Sequence, residues 1–208
     1  MQATTILPAE WAPQSAIMLT WPHANSDWKP WLHEAERNFA ELATQISRRQ
    51  SVIIACYDEP HRRHVYELLR AGGAVLQRIR LYTIPSNDTW ARDHGPITVY
   101  QNHQPVLLDF HFNGWGGKFN HELDNQITQR LHQAGAFGDT PLLSVDLVLE
   151  GGSIESDGAG TLLTTRRCLL ATNRNALSQT ALETRLQDLL GAERLLWLNE
   201  GDLLGDDT

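Results

Sequence analysis

The chain has 208 residues, 41% of them hydrophobic and 20% charged, a balance that suits a soluble globular protein with a buried core and excludes a disordered polymer. Its 17 Lys and Arg stand against 25 Asp and Glu, a formal charge of −8; such a surface disfavours nucleic acid and anionic membranes and mildly attracts small cations, or is simply solvated. The N-terminus has no basic segment leading into an apolar stretch, and no run reaches membrane-helix length, so the expected location is the cytoplasm and no membrane partner is expected.

In chain order, Ser26, Asp27 and Pro30 mark a helix start, after which Leu32, Ala35, Phe39, Leu42 and Ile46 recur at helical spacing. Residues 52–56 read as a buried strand. A helix over 61–70 closes on Gly72-Gly73, and a strand over 79–84 follows. A strand over 97–100 follows a Gly-Pro turn. The segment 121–134 is expected to be helical and 142–149 a strand. A hairpin pairs 152–155 with 161–165 across Asp157-Gly158-Ala159-Gly160. A helix over 179–190, Gly191 and a strand over 194–198 complete the pattern.

Helices followed by apolar strands run repeatedly into polar, often acidic turns. These are Tyr57-Asp58-Glu59, Ser86-Asn87-Asp88, Glu150-Gly151-Gly152 and Asn199-Glu200-Gly201-Asp202. Such a recurrence points to similar α/β units whose strand ends share one side; an ordinary βα sandwich is the plainer reading.

Three segments carry chemistry. The first runs from Ser86 to Pro96 and places Trp90, Arg92, Asp93 and His94 at the mouth of a strand. A functional cluster or a plain Arg92–Asp93 pair with Trp90 in the core would both satisfy it, and His94 alone reads as structural. The second, Asp109 to Phe119, sets three glycines around Trp115, so that Gly116 and Gly117 let backbone approach a ligand with Trp115 as a wall. A phosphate cradle is conceivable, but no Lys-Ser helix start follows, which excludes a Walker-type loop. The third opens with Glu150 at the end of an apolar strand, where a carboxylate is costly to bury without a partner; a glutamate merely opening a hairpin is the alternative.

Cys56 and Cys168 sit in apolar runs without metal-type spacing, which fits reduced thiols or one bridge. Apolar flanks raise a thiol's pKa and so disfavour either as a nucleophile. His61 and His64, one helical turn apart, suit a metal or an exposed basic face, and the latter is the expectation: no metal and no cofactor.

Together with Leu19-Thr20-Trp21-Pro22, Asp27-Trp28, the run from Cys168 to Asn175 and the terminal Gly205-Asp206-Asp207-Thr208, these segments resemble the agmatine deiminase and bacterial peptidylarginine deiminase family of the guanidino-modifying pentein superfamily. The likeness covers nearly the whole chain in order. It implies an α/β fold, a pentein-type α/β propeller of repeated ββαβ units, with residues 1–208 a single pentein-like domain truncated at the C-terminus and holding about three of five units. It also implies a hydrolase that converts agmatine to N-carbamoylputrescine and ammonia, in polyamine and putrescine biosynthesis, through a covalent Cys-amidino intermediate. A guanidinium stays protonated near neutral pH and is a poor electrophile, so carboxylates must grip it in bidentate geometry and aim its carbon.

By this resemblance Asp93 is a guanidinium-binding carboxylate and Glu150 sits beside the catalytic histidine. Trp90 is a pocket wall, and Asp207 matches an acidic position that meets agmatine's distal amine. The family continues past the Asp-Asp-Thr segment into a Gly-His-x-Asp motif and, near its C-terminus, the nucleophilic cysteine. This sequence stops at Thr208, so the expectation for it alone is no turnover. The rival readings are a peptidylarginine or arginine deiminase, a non-catalytic guanidine-binding or interaction module, and an ordinary α/β structural or metal-binding protein. Open sheet edges in an incomplete propeller would favour self-association into a homo-oligomer.

Overall fold

The computed structural model describes residues 4–201. In chain order the elements are β1 (Thr5–Ile6), β2 (Ala16–Thr20), α1 (Leu32–Ser47), β3 (Ser51–Cys56), α2 (Glu59–Ala71), β4 (Ile79–Thr83), a one-turn α3 (Ala91–His94), β5 (Ile97–Gln101) and β6 (Gln104–His111). A tight turn, α4 (Gly114–Gly117), leads to α5 (Ile127–Gln133), β7 (Leu142–Val148), β8 (Ile154–Ser156), β9 (Thr161–Thr165), α6 (Arg166–Leu169), α7 (Gln179–Leu190) and β10 (Arg194–Leu198). The chain is α/β with both parallel and mixed sheets.

It folds as two compact units. A parallel-sheet unit takes Pro13–Ala91 and Asn120–Gly138; a mixed-sheet unit takes the chain up to Ala12, Arg92–Phe119 and the chain from Asp139 onward. In the first, β2, β3 and β4 are parallel, with β3 central. Both faces of β3 are buried, which is why its sequence runs apolar without alternation. Val52, Ile54 and Cys56 face a core with Ala43 of α1 and Val65 and Leu69 of α2. Ile53 and Ala55 face the other way, against Ile127 and Leu131 of α5. The Asp58 side chain caps α2 by accepting from the His61 amide at 2.8 Å.

In the mixed-sheet unit one sheet has the order β1-β5-β6-β7, antiparallel except for the parallel pair β6–β7; the other has the order β10-β9-β8. Leu182, Leu186 and Leu190 form one buried stripe of α7 against Leu108, Val145, Leu147 and Leu162. Each such leucine contributes about 1.5–3 kcal/mol. Ser178 caps the start of α7 and Gly191 closes its end.

The helices near 32–46 and over 179–190, and the strands near 52–56, 79–84, 142–149 and 194–198, fall where expected. The helix over 61–70 starts earlier, at Glu59, because Asp58 rather than a later residue supplies its cap. The helix over 121–134 begins only at Ile127. Before it, the Asn87 side chain accepts from the Leu123 amide and Asp124 turns back to bind other backbone, so the chain runs in turns and a 3-10 segment. The hairpin starts at Ile154, its first two expected residues, Gly152 and Ser153, belonging to a 3-10 turn. His61 also departs from the expected exposed face: its Nδ1 accepts from the Tyr57 amide at 3.0 Å and its ring lies 6.1 Å from that of His23.

Candidate active site

Asp93 is the centre of the mixed-sheet unit's polar cluster. It lies in α3, one residue before the buried His94, and both its oxygens are engaged. Oδ1 accepts from the Gly152 amide at 3.0 Å and Oδ2 from the indole Nε1–H of Trp115 at 3.2 Å. The turn after β7 must be glycine to come this close: a Cβ on Gly152 would strike Asp93 Oδ1, and one on Gly151 would strike the Arg92 carbonyl. Arg92 turns to other partners, Glu10 at 2.7 Å and the Ile154 carbonyl at 3.2 Å.

Trp115 is fixed from behind. Its ring meets Phe112 and Phe119 edge-on, with centroids 5.0 and 5.6 Å away, and its own φ of 56° is left-handed. The β6–β7 register shifts between Phe110 and His111, just before this turn, with the extra residues on β7. Asn113 holds the turn by accepting from the Gly116 amide at 2.8 Å. Gly116 leaves room for the Asn173 side chain, which donates to the Gly116 carbonyl at 3.1 Å. Gly117 faces open space, and its φ of 81° is what requires glycine there.

Glu150 is 3% exposed and has a partner that the sequence reading did not single out. Arg174 Nε donates to both carboxylate oxygens, at 2.9 and 3.1 Å, and the Arg174 side chain is only 2% exposed. Its Nη2 is buried and has no hydrogen-bond partner among the described residues. The signal was present: a carboxylate at the end of an apolar strand demands a cation, and Arg174 stands in the quoted 168–175 run. Three successive residues of that run reach separate targets, Asn173 the glycine turn, Arg174 Glu150, and Asn175 both backbone groups of Val148 at 2.8 and 3.0 Å.

Cys168 Sγ lies 4.0 Å from Glu150 Oε2. Burial, with the Glu150 charge adding to it, pushes this thiol up to about 11; burial pushes Cys56 up to about 12. Neither is a thiolate at neutral pH, as the apolar flanks implied. Burial also lowers His94 to about 4, which leaves a neutral ring packed 6.1 Å from Phe112.

Trp90 belongs to the parallel-sheet unit and is 47% exposed. Its indole N–H donates to Asp88 Oδ2 at 3.1 Å, while Trp28 donates to Thr89 Oγ1 at 2.9 Å. Asp207 lies outside the described residues. The same unit contains a His23–Ser86 contact of 3.1 Å that sequence reasoning missed. It is no nucleophile–base pair. The Asn25 amide donates to His23 Nδ1 at 3.2 Å, so Nε2 carries the proton and donates to the serine.

The structure therefore brings Asp93, Trp115, Gly116 and Glu150 into one polar network, through the 151–152 turn and the 168–175 run. A carboxylate held by two donors, an aromatic face and a buried ion pair suit the grip of a planar cation.

A relative in Yersinia pseudotuberculosis, provisionally named agmatine deiminase, is 37% identical over 207 residues, covering 97% of this chain and 54% of that protein. The chain thus spans about half the length of the curated relatives it matches. The solved structure of a cysteine-to-serine variant of C. jejuni agmatine deiminase with substrate bound superposes with a TM-score of 0.89 at 35% identity, covering 100% of this chain and 60% of that one. A provisionally named arginine deiminase of Porphyromonas gingivalis is 47% identical, with a TM-score of 0.89, over 98% of this chain and 60% of that one. Residues 6–208 match a single family description, and the chain belongs to the Porphyromonas-type peptidyl-arginine deiminase family.

Proposed function

We propose that the intact protein hydrolyses the guanidine group of agmatine to N-carbamoylputrescine and ammonia, one water entering and one ammonia leaving. The observation that carries this reading is Asp93, whose Oδ1 is fixed by the Gly152 amide and Oδ2 by the Trp115 indole N–H. A carboxylate fixed in this way presents the flat, bidentate acceptor edge that a guanidinium matches. The Trp115 ring lies against the same carboxylate, and the Glu150 charge is held in place by Arg174 for a neighbouring histidine to use. The substrate-bound C. jejuni relative supports the choice of agmatine.

The histidine, the second guanidinium carboxylate and the nucleophilic cysteine of this reading belong to the part of the relatives' length beyond the match. The cysteine would attack the guanidinium carbon, ammonia would leave, and water would release the ureido product. Residues 1–208 alone then bind guanidine without turning it over. We read the three sheets as about three of five units of one pentein-type propeller domain in a cytoplasmic enzyme of putrescine biosynthesis. A peptidyl-arginine or free-arginine substrate is the second reading, favoured by the family description and by the Porphyromonas relative.

Titration calorimetry tests the grip. Agmatine should bind the chain, and Asp93→Ala should abolish the heat. Ammonia release by the intact protein from agmatine, arginine and an arginine peptide then ranks the substrates. Saturable turnover by residues 1–208 alone would overturn the division of labour, and an intact protein inert on all three would overturn the function.

A further inference from the structure

Asp124 is 1% exposed, yet among the described residues its carboxylate is met by backbone amides rather than by Lys or Arg. Its partners are backbone amides of another segment: Asn87 N–H at 2.7 Å to Oδ1, and Asp88 N–H at 3.2 Å to each oxygen. Asn87 returns the grip, its side-chain carbonyl accepting from the Leu123 amide at 2.8 Å and the Asp124 amide at 3.4 Å. Two distant stretches of one unit are thereby clamped by reciprocal side-chain-to-backbone bonds. A buried carboxylate beside the like charge of Asp88 is an expensive way to join two loops, so what it holds in place matters.

What it holds is the root of Trp90. The Asp88 amide is bound by Asp124, and the Asp88 carboxylate in turn accepts from the Thr89 amide at 2.8 Å and from the Trp90 indole N–H at 3.1 Å. Thr89 Oγ1 accepts from Trp28, whose ring centroid lies 6.5 Å from that of Trp90. The indole is half-exposed, and the relay holds its N–H end through Asp88 and its neighbouring ring through Thr89. We propose that Asp124 is a positioning residue that sets Trp90 through the peptide units of Asn87 and Asp88. This rests on the reading of Trp90 as the wall over the substrate's aliphatic stem, and deepens it.

The carboxylate must be ionised to accept all three bonds. Burial, outweighing those amides, raises Asp124 to about 6, so the clamp should loosen as pH falls through that value. The titratable groups facing it are Asp88, itself raised by burial, and His121.

Indole N–H signals of the 15N-labelled chain test the proposal, with Trp90 assigned through Trp90→Phe. Asp124→Asn should shift or broaden the Trp90 and Trp28 signals and leave Trp21 and Trp197 in place. The Trp90 signal should also move with a midpoint near pH 6 in the parent and in His121→Gln, and lose that step in Asp124→Asn. A folded Asp124→Asn with an unmoved Trp90 signal overturns the proposal, as does a step that follows Asp88 or His121 instead. Should that variant fail to fold, Asn87→Ala removes only the reciprocal half and should still displace Trp90; an unmoved signal there is equally fatal. Agmatine affinity should fall about ten-fold in Asp124→Asn and no further in a Trp90→Ala background. A parent chain that binds no agmatine sinks the proposed function but leaves the indole test standing, so the two failures are separable.

Discussion

Replacing Arg174 by methionine should be among the most damaging single changes in the mixed-sheet unit. Both members of the pair are shut off from water, at 2% and 3% side-chain exposure, and one nitrogen serves both oxygens of Glu150. Methionine fills much of the same space but leaves a buried carboxylate whose other polar neighbour is a neutral thiol 4.0 Å away. An orphaned charge of this kind costs about 3–5 kcal/mol, whereas removing both charges together is close to neutral because the desolvation penalty of the pair disappears with it. Arg174→Met should therefore lower stability by that amount, equivalent to about 6–20 °C in melting temperature at about 2–4 °C per kcal/mol. The double variant Glu150→Met/Arg174→Met should recover to within about 2 kcal/mol of the parent. Urea unfolding gives the free energies. Alkylation followed by mass spectrometry locates the effect, since Cys168 should become reactive in Arg174→Met while Cys56, in the other unit, stays protected. A loss below about 1 kcal/mol, or a double variant no better than the single one, would refute the reasoning.

Acid should destabilise the fold through His23 and His94, both lowered by burial from 6.5 to about 4. The unfolded rings bind protons first, so stability falls as pH drops from 6.5 to 4, by about 1.4 kcal/mol per pH unit for each ring. Asp109 and Asp124, raised by burial from 3.8 to about 6, gain stability at the same rate below pH 6 and offset the two rings there, so the net acid loss lies between pH 6.5 and 6. His94→Asn should accordingly gain on the parent by about 1.4 kcal/mol per pH unit as pH drops from 6.5 to 4, and parallel curves would count against the burial argument. At the alkaline end, unfolded thiols ionise near 9 and folded Cys168 only near 11, so stability is lost as pH rises between those values; in Cys168→Ala that loss should shrink by about 1.4 kcal/mol per unit. Among the glycines, Gly117→Ala should cost about 1 kcal/mol by denaturant titration, for backbone strain alone. Gly116→Ala should cost more, since Asn173 must move, and Gly152→Ala should also abolish agmatine binding by displacing Asp93.

Much of the secondary structure could be read from the sequence because periodicity and caps agreed. The apolar spacing from Leu32 to Ile46 and the Ser178 and Gly191 ends of α7 state their helices locally. The hairpin between β5 and β6 was not legible. Its turn puts Asn102 and His103 at φ of 49° and 67°, left-handed values that usually announce themselves with glycine, and Pro105 sits near the start of β6. Asp93 stood out in a charged cluster at a strand mouth, Trp115 among three glycines and Glu150 at the end of an apolar strand, and the structure joins them. Arg174 and Asp124 were hidden because their partners lie 24 and 36–37 residues away, beyond any local pattern. Gly116 reads from sequence as room for a ligand, and spacing cannot say that the Asn173 amide lies against it.

The route of the chain also governs when each unit can be finished during synthesis. It passes from one unit to the other after Ala12, Ala91, Phe119 and Gly138. A nascent chain that has emerged only to Ala91 already owns β2, β3, β4 and both flanking helices, yet Ile53, Ala55 and Ile84 have nothing over them until Ile127 and Leu131 arrive. About forty further residues must be made first, roughly 2–8 s at about 5–20 residues per second. During that interval an apolar sheet face stands open on the ribosome, long after a domain of this size could have collapsed. The interval is a window for chaperone capture, and for mispairing between neighbouring chains on one message. Faster decoding of residues 92–131 should narrow it without changing a single amino acid.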